Sequence, residues 1–203
     1  MDRPLPTDTD PQVWLAYFEA SVQDPATWEE SALALRDSAE LLDRAYVDAY
    51  DAWSQAWDHW EQVSEHPIAE EPQPPRVGIY NAALMLRGFS IENLAKALIV
   101  KRNTASVRPG QLPVWPVDGP QQHDLWALIQ AAGVSLDEHE QEFVQLLAGT
   151  VLWGGRYPTP TRYERLIPTG EPERIWLHSQ MMVEFRERYR QLFAKLHDPL
   201  KSP

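Results

Sequence analysis

The chain has 203 residues, a formal net charge of −12 and a mean hydropathy of −0.46. It contains no cysteine, which excludes disulfides, thiolate catalysis and cysteine-ligated zinc. The acidity argues against extended non-specific DNA binding, and no apolar run approaches the ~18–20 residues of a membrane span.

Residues 1–9 are polar with two prolines and read as a flexible arm. Met1-Asp2-Arg3-Pro4 lacks the basic and apolar regions of a signal peptide, so a cytoplasmic location is expected. Asp10-Pro11 places an N-cap before a proline at the first helical position, which predicts a helix to about Val22. Asp24-Pro25 repeats that signal. A proline-free, glycine-free pattern then predicts one long helix from about Ala26 to Ser64. Its seam runs through Trp28, Ala32, Leu35, Ala39 and Leu42 at alternating steps of four and three, and continues through Tyr46, Tyr50, Trp53, Trp57 and Trp60. At 1.5 Å per residue such a helix is ~55 Å long, so it bends, breaks or projects. Residues 10–64 thus form an acidic, tryptophan-rich N-terminal part.

His66 to Arg76 holds four prolines and reads as a semi-extended linker. Ile79 to Asn103 is apolar nearly all round, the pattern of a central bundle helix. Residues 104–122 read as a loop. Asp124 caps a short helix to about Ala132, ended by Gly133. Ser135 with Glu138 suggests a capping box for a helix reaching about Trp153. After Gly154-Gly155 a proline-rich loop leads to a last helix, about Glu173 to His197. The expectation is a single all-α domain, a bundle of about six helices with one long N-terminal helix.

Residues 1–75 hold 17 acidic and 3 basic side chains, whereas residues 76–108 hold 1 acidic and 6 basic. A local anion site is therefore compatible with the overall acidity. The six histidines form no HExxH or Glu-x-x-His spacing, so no metal site and no cofactor are expected. The acids around His139 read as a charged first helical turn.

Two places concentrate chemistry. Glu92 and Lys96 are four apart on the apolar helix and share one face, where they must pair or function. Arg87 and Asn93 fall on other faces and are expected at the periphery. Trp153-Gly154-Gly155-Arg156-Tyr157-Pro158, with Arg162 close behind, combines arginine and aromatics as phosphate and stacked-base sites do. A plain alternative has Arg156 tying its loop to Glu92.

Gly88-Phe89-Ser90-Ile91-Glu92-Asn93-Leu94-Ala95-Lys96-Ala97-Leu98, then His123-Asp124-Leu125, then Trp153 through Pro158, resemble the HEPN superfamily of prokaryotic helical domains. The resemblance covers roughly residues 79–165, within a HEPN-like bundle of 79–197. It implies a four- or five-helix bundle, usually a homodimer, found as metal-independent ribonucleases or as binding and scaffold domains of toxin–antitoxin, phage-defence and CRISPR systems. Its catalytic signature, an arginine, four to six residues and a histidine, has one formal match at Arg190 and His197. Gln191 follows the arginine where another polar residue is usual, and Leu192, Phe193 and Leu196 read as packing.

Three readings follow. The favoured one is a HEPN-like binding or scaffold protein without secure nuclease activity, taking RNA, a nucleotide or a protein through Arg156, Tyr157, Glu92, Lys96, His123 and Arg162. The second is an active, toxin-like ribonuclease using Arg190 and His197. The third is a protein–protein interaction module whose working surface is the aromatic stripe of residues 46–60.

Overall fold

The computed structural model describes residues 5–7, 10–63, 71–103, 105, 108–117, 123–149, 151 and 179–202. They form six helices: α1 Pro11–Val22, α2 Pro25–Val63, α3 Val77–Lys101, α4 Leu125–Ala131, α5 Glu138–Gly149 and α6 Ser179–Lys201. No strand occurs among the described residues, so the fold is an all-α bundle. No helix among them is long and apolar enough to cross a membrane.

Local signals set most helix ends. Asp10 accepts from Gln12 N at 2.8 Å and Asp24 from Ala26 N at 3.0 Å, so both Asp-Pro pairs start helices as their sequence implies. Gly133, at φ +67°, closes α4, with Val134 N donating to Ile129 O and Gly133 N to Gln130 O. That left-handed turn is one only glycine adopts without strain.

Two expected boundaries move. The capping box of α5 is Asp137 with Glu140, not Ser135 with Glu138. Asp137 Oδ1 accepts from Glu140 N and Glu140 Oε2 accepts from Asp137 N, both at 2.8 Å. In that register Glu140 Oε2 also takes Lys195 Nζ from α6, at 2.6 Å. Helix α6 runs past His197 to Lys201 and carries Pro199 inside its last turn. Lys101 Nζ, at the end of α3, donates to the carbonyls of Pro199, Leu200 and Ser202. A cation thus satisfies the orphan acceptors of the helix C-terminus.

The long helix is unbroken over 39 residues. It packs antiparallel on α3, the most extensive helix contact among the described residues. Tyr46 stacks near Tyr80 with ring centres 5.4 Å apart, and Asn93 Nδ2 donates to Ser31 Oγ at 2.9 Å. Tyr80 lies in the first turn of α3, so residues 51–63 of α2 extend beyond it. There Tyr50, Trp53, Trp57 and Trp60 form a ladder with ring centres 5.3–5.8 Å apart. Trp53 Nε1 donates to Pro72 O at 3.1 Å, which ties the ladder to the chain entering α3. The four rings are half-buried. Fixed aromatic geometry at i, i+3 and i+4 stiffens a helix end that has no helix over it among the described residues.

The apolar helix α3 is central, as its pattern implies. Ile91, Leu94, Ala95, Ala97, Leu98 and Ile99 are buried, and α4, α5 and α6 all pack on it. Each fully buried leucine or isoleucine contributes about 1.5–3 kcal/mol through removal of apolar surface from water. Gly88 is where α3 comes closest to the end of α5: a Cβ there would overlap Val151 Cγ2 and sit 3.5 Å from Leu147 O.

Candidate functional site

The apolar surroundings of α3 make its charged side chains the informative ones. Glu92 and Lys96 lie one turn apart, with side chains 4% and 8% exposed. Lys96 Nζ donates to Glu92 Oε1. His123 Nδ1 reaches the same oxygen at 2.8 Å from the chain entering α4. Asp124, the next residue, caps α4 by accepting from Ala127 N at 3.0 Å, which fixes the position from which His123 approaches. Three of the six expected binding residues therefore meet on one carboxylate oxygen. Arg156, Tyr157 and Arg162 lie outside the described residues.

Aromatic faces complete the enclosure. The Lys96 ammonium sits 5.5 Å from the ring centre of Trp28 and 5.3 Å from that of Trp115. The two indoles pack edge to face at 5.1 Å, and Trp28 Nε1 donates to Val22 O at 3.0 Å. Two indole faces and a carboxylate replace the water that a lysine loses on burial. Glu92 Oε2 is buried without a hydrogen-bond partner among the described residues.

His123 is the open end of this cluster, its side chain 56% exposed. A neutral imidazole that bonds a carboxylate through Nδ1 must carry its proton there. Nε2 is then a bare acceptor that can take a proton or an N–H or O–H from a ligand. Once protonated, the ring can donate to an anion. This carboxylate–imidazole pairing is the arrangement used to orient a general base or a phosphate contact.

The proposed catalytic pair is placed differently. Arg190 is exposed on α6, 3.9 Å from Glu187. His197 Nε2 is held by Glu29 Oε1 of α2 at 2.6 Å, and its ring packs on Phe193. No contact among the described residues links the two.

One sequence expectation is overturned. Arg87 is not peripheral: it is 2% exposed, between α2, α3 and α6. Arg87 Nη2 donates to Asp43 Oδ2 at 2.9 Å, and Arg186 of α6 contacts the same oxygen. The Arg87 guanidinium lies 5.4 Å from the ring centre of Tyr189 and 5.9 Å from that of Phe185. Tyr189 and Ser90 share a 2.6 Å hydroxyl–hydroxyl bond. Burial pushes the phenols of both Tyr80 and Tyr189 up to about 12. Arg87 is internal because α2 and α6 both pack on α3, and their Asp43 and Arg186 meet over its face. Asn93, expected at the periphery, is half-buried there, with its side chain bonded to Ser31. The available signal was Asp43, which falls four after Ala39 and three before Tyr46, on the same buried stripe of α2.

No family model, no curated protein and no solved structure matches the chain.

Proposed function

We propose that this chain is a HEPN-like binding or scaffold protein of a prokaryotic RNA-linked or defence/stress system. In this reading it takes a nucleotide or an RNA end at the Glu92–Lys96–His123 cluster and carries no nuclease activity of its own. The observation that supports it is the buried Glu92 carboxylate, one oxygen of which is shared by Lys96 and a solvent-facing His123. Such a carboxylate sets the histidine's tautomer, and the Lys96 ammonium offsets the cost of burying its charge. His123 Nε2 is the group that meets the ligand, and Glu92 and Lys96 are positioning residues. Arg156, Tyr157 and Arg162 would add guanidinium and stacking contacts. The homodimer implied by the resemblance belongs to this same proposal.

Short single-stranded RNA and a mononucleotide, titrated in EDTA against wild type and His123→Ala, test the reading. The expected result is binding, uncut RNA, and affinity about tenfold or more weaker in the variant, the scale of one lost charge-assisted hydrogen bond. Equal affinity in the two proteins would sink it. So would RNA cleavage that disappears in a folded His197→Ala variant, which would establish the ribonuclease reading at Arg190 and His197 instead.

A further inference from the structure

A second polar centre lies between α2, α3 and α6. Around Arg87 a cavity of about 110 Å³ is lined by four arginines, Arg44, Arg87, Arg186 and Arg190, and two acids, Glu40 and Asp43. Four cations face two carboxylates, and Glu187, 3.9 Å from Arg190, offsets one charge more, which leaves one positive charge in excess inside a chain of net charge −12. The volume falls below the ~300 Å³ at which pockets for drug-sized ligands begin, so the occupant is compact.

The hydrogen bonding around Asp43 is incomplete. Its Oδ2 accepts from Arg87 and lies in ion-pair contact with Arg186 Nε without a hydrogen bond, while among the described residues Arg87 Nε, Arg87 Nη1, Arg186 Nε and Arg186 Nη2 are buried without a hydrogen-bond partner. One carboxylate cannot satisfy two guanidiniums, each of which presents five N–H groups. Buried cationic donors left in that state are costly, and a multi-oxygen anion is the species that satisfies them. Asp43 Oδ1 also lacks a partner among the described residues, and it is an acceptor. The complementary ligand is therefore an oxyanion that carries several acceptor oxygens and one O–H.

We propose that this cavity binds inorganic phosphate as the hydrogen phosphate ion. Buried Arg87 and half-buried Arg186 form its floor. Exposed Arg44 and Arg190 stand at its mouth. The P–O–H group donates to Asp43 Oδ1. Sulfate has the same shape and charge but no proton at neutral pH, so it leaves Asp43 Oδ1 unsatisfied and facing an anionic oxygen. The site does not depend on the Glu92 cluster and uses none of its residues.

Calorimetric titration in a phosphate-free buffer tests this, with sodium phosphate and sodium sulfate as the probes. The proteins are wild type, the double variant Arg44→Ala/Arg190→Ala, and His123→Ala. Both arginines of the double variant are exposed, and unchanged helical circular dichroism would verify its fold. Phosphate is expected to bind wild type and His123→Ala alike. Sulfate, and phosphate on the double variant, are each expected to be about tenfold or more weaker, the scale of a charge-assisted hydrogen bond. No phosphate binding at millimolar concentration, sulfate binding as tight as phosphate, or an unchanged double variant overturns the proposal. Loss of phosphate binding in His123→Ala alone would assign the anion to the Glu92 cluster, and also overturns it.

Discussion

Arg87 of α3 and Asp43 of α2 form an ion pair at 2.9 Å with side chains 2% and 5% exposed, 44 residues apart in the chain. It joins the two longest helices at the point where α6 also arrives, because Arg186 contacts the same carboxylate oxygen.

Removing one member of a buried pair strands the other. Asp43→Ala leaves Arg87 without its counter-ion and is expected to cost about 3–5 kcal/mol, a large share of a typical domain's stability. Asp43→Leu combined with Arg87→Met is expected to recover only the part of that loss owed to Arg87, since Arg186 still loses its counter-ion. Urea unfolding midpoints at constant m-value measure both effects. A loss under about 1 kcal/mol in Asp43→Ala would mean the pair does not form as described.

The Glu92–Lys96 pair gives an asymmetric expectation. Glu92→Ala leaves a buried ammonium between Trp28 and Trp115 and is expected to cost about 3–5 kcal/mol. Lys96→Met keeps the packing on both indoles and leaves Glu92 with His123, so its cost is expected to be the smaller of the two. The same denaturation series ranks them, and the reverse order would remove Glu92 as the centre of the cluster.

Gly88 supplies space rather than flexibility. Gly88→Ala forces its methyl onto Val151 Cγ2 and is expected to destabilise by about 1–3 kcal/mol despite the better helix propensity of alanine. Val151→Ala in the same chain opens room for that methyl. A double-mutant cycle is expected to show a coupling of about 0.5 kcal/mol or more, and additive costs would count against the contact.

Alkaline pH is expected to unfold the protein through Tyr80 and Tyr189. Both phenols are pushed up from 10.0 to about 12, chiefly by burial. The folded state therefore holds these protons while the unfolded chain has released them. The stability they contribute is complete below pH 10 and is lost as pH rises toward 12. The loss is about 1.4 kcal/mol per pH unit for each tyrosine within that window. Tyr189→Phe is expected to halve the slope, while losing about 1 kcal/mol at neutral pH with its Ser90 bond. Tyrosinate absorbance followed alongside unfolding checks both.

The overhanging end of α2 is expected to open first. Residues 51–63 rest on their own aromatic ladder and the Trp53–Pro72 bond, whereas residues 91–100 of α3 are buried except for half-buried Asn93. Amide hydrogen exchange is expected to be faster in the former by orders of magnitude. Equal protection would place further packing on the ladder.

Helix existence and most helix starts were legible because their causes are local. Asp10, Asp24 and Asp124 each cap a backbone N–H two or three residues away, and Gly133 adopts the left-handed turn that ends α4. The capping box of α5 was misplaced because Ser135–Glu138 and Asp137–Glu140 fit one pattern. Lys195, 55 residues away, sits on the second. The end of α6 was missed for a similar reason, since Pro199 reads as a stop until Lys101 takes the carbonyls around it.

The candidate site divides along the same line. The pairing of Glu92 with Lys96 follows from a spacing of four on an apolar helix, and that much the sequence determined, along with the all-α class and the central place of α3. That His123 completes the pair, and that Trp28 and Trp115 flank the ammonium, required segments up to 87 residues apart to meet. Arg87 shows the limit most plainly. Its burial depends on which helices cover which face of α3, and that is decided by the joint packing of α2 and α6, where a shared carboxylate holds cations that no local pattern brings together.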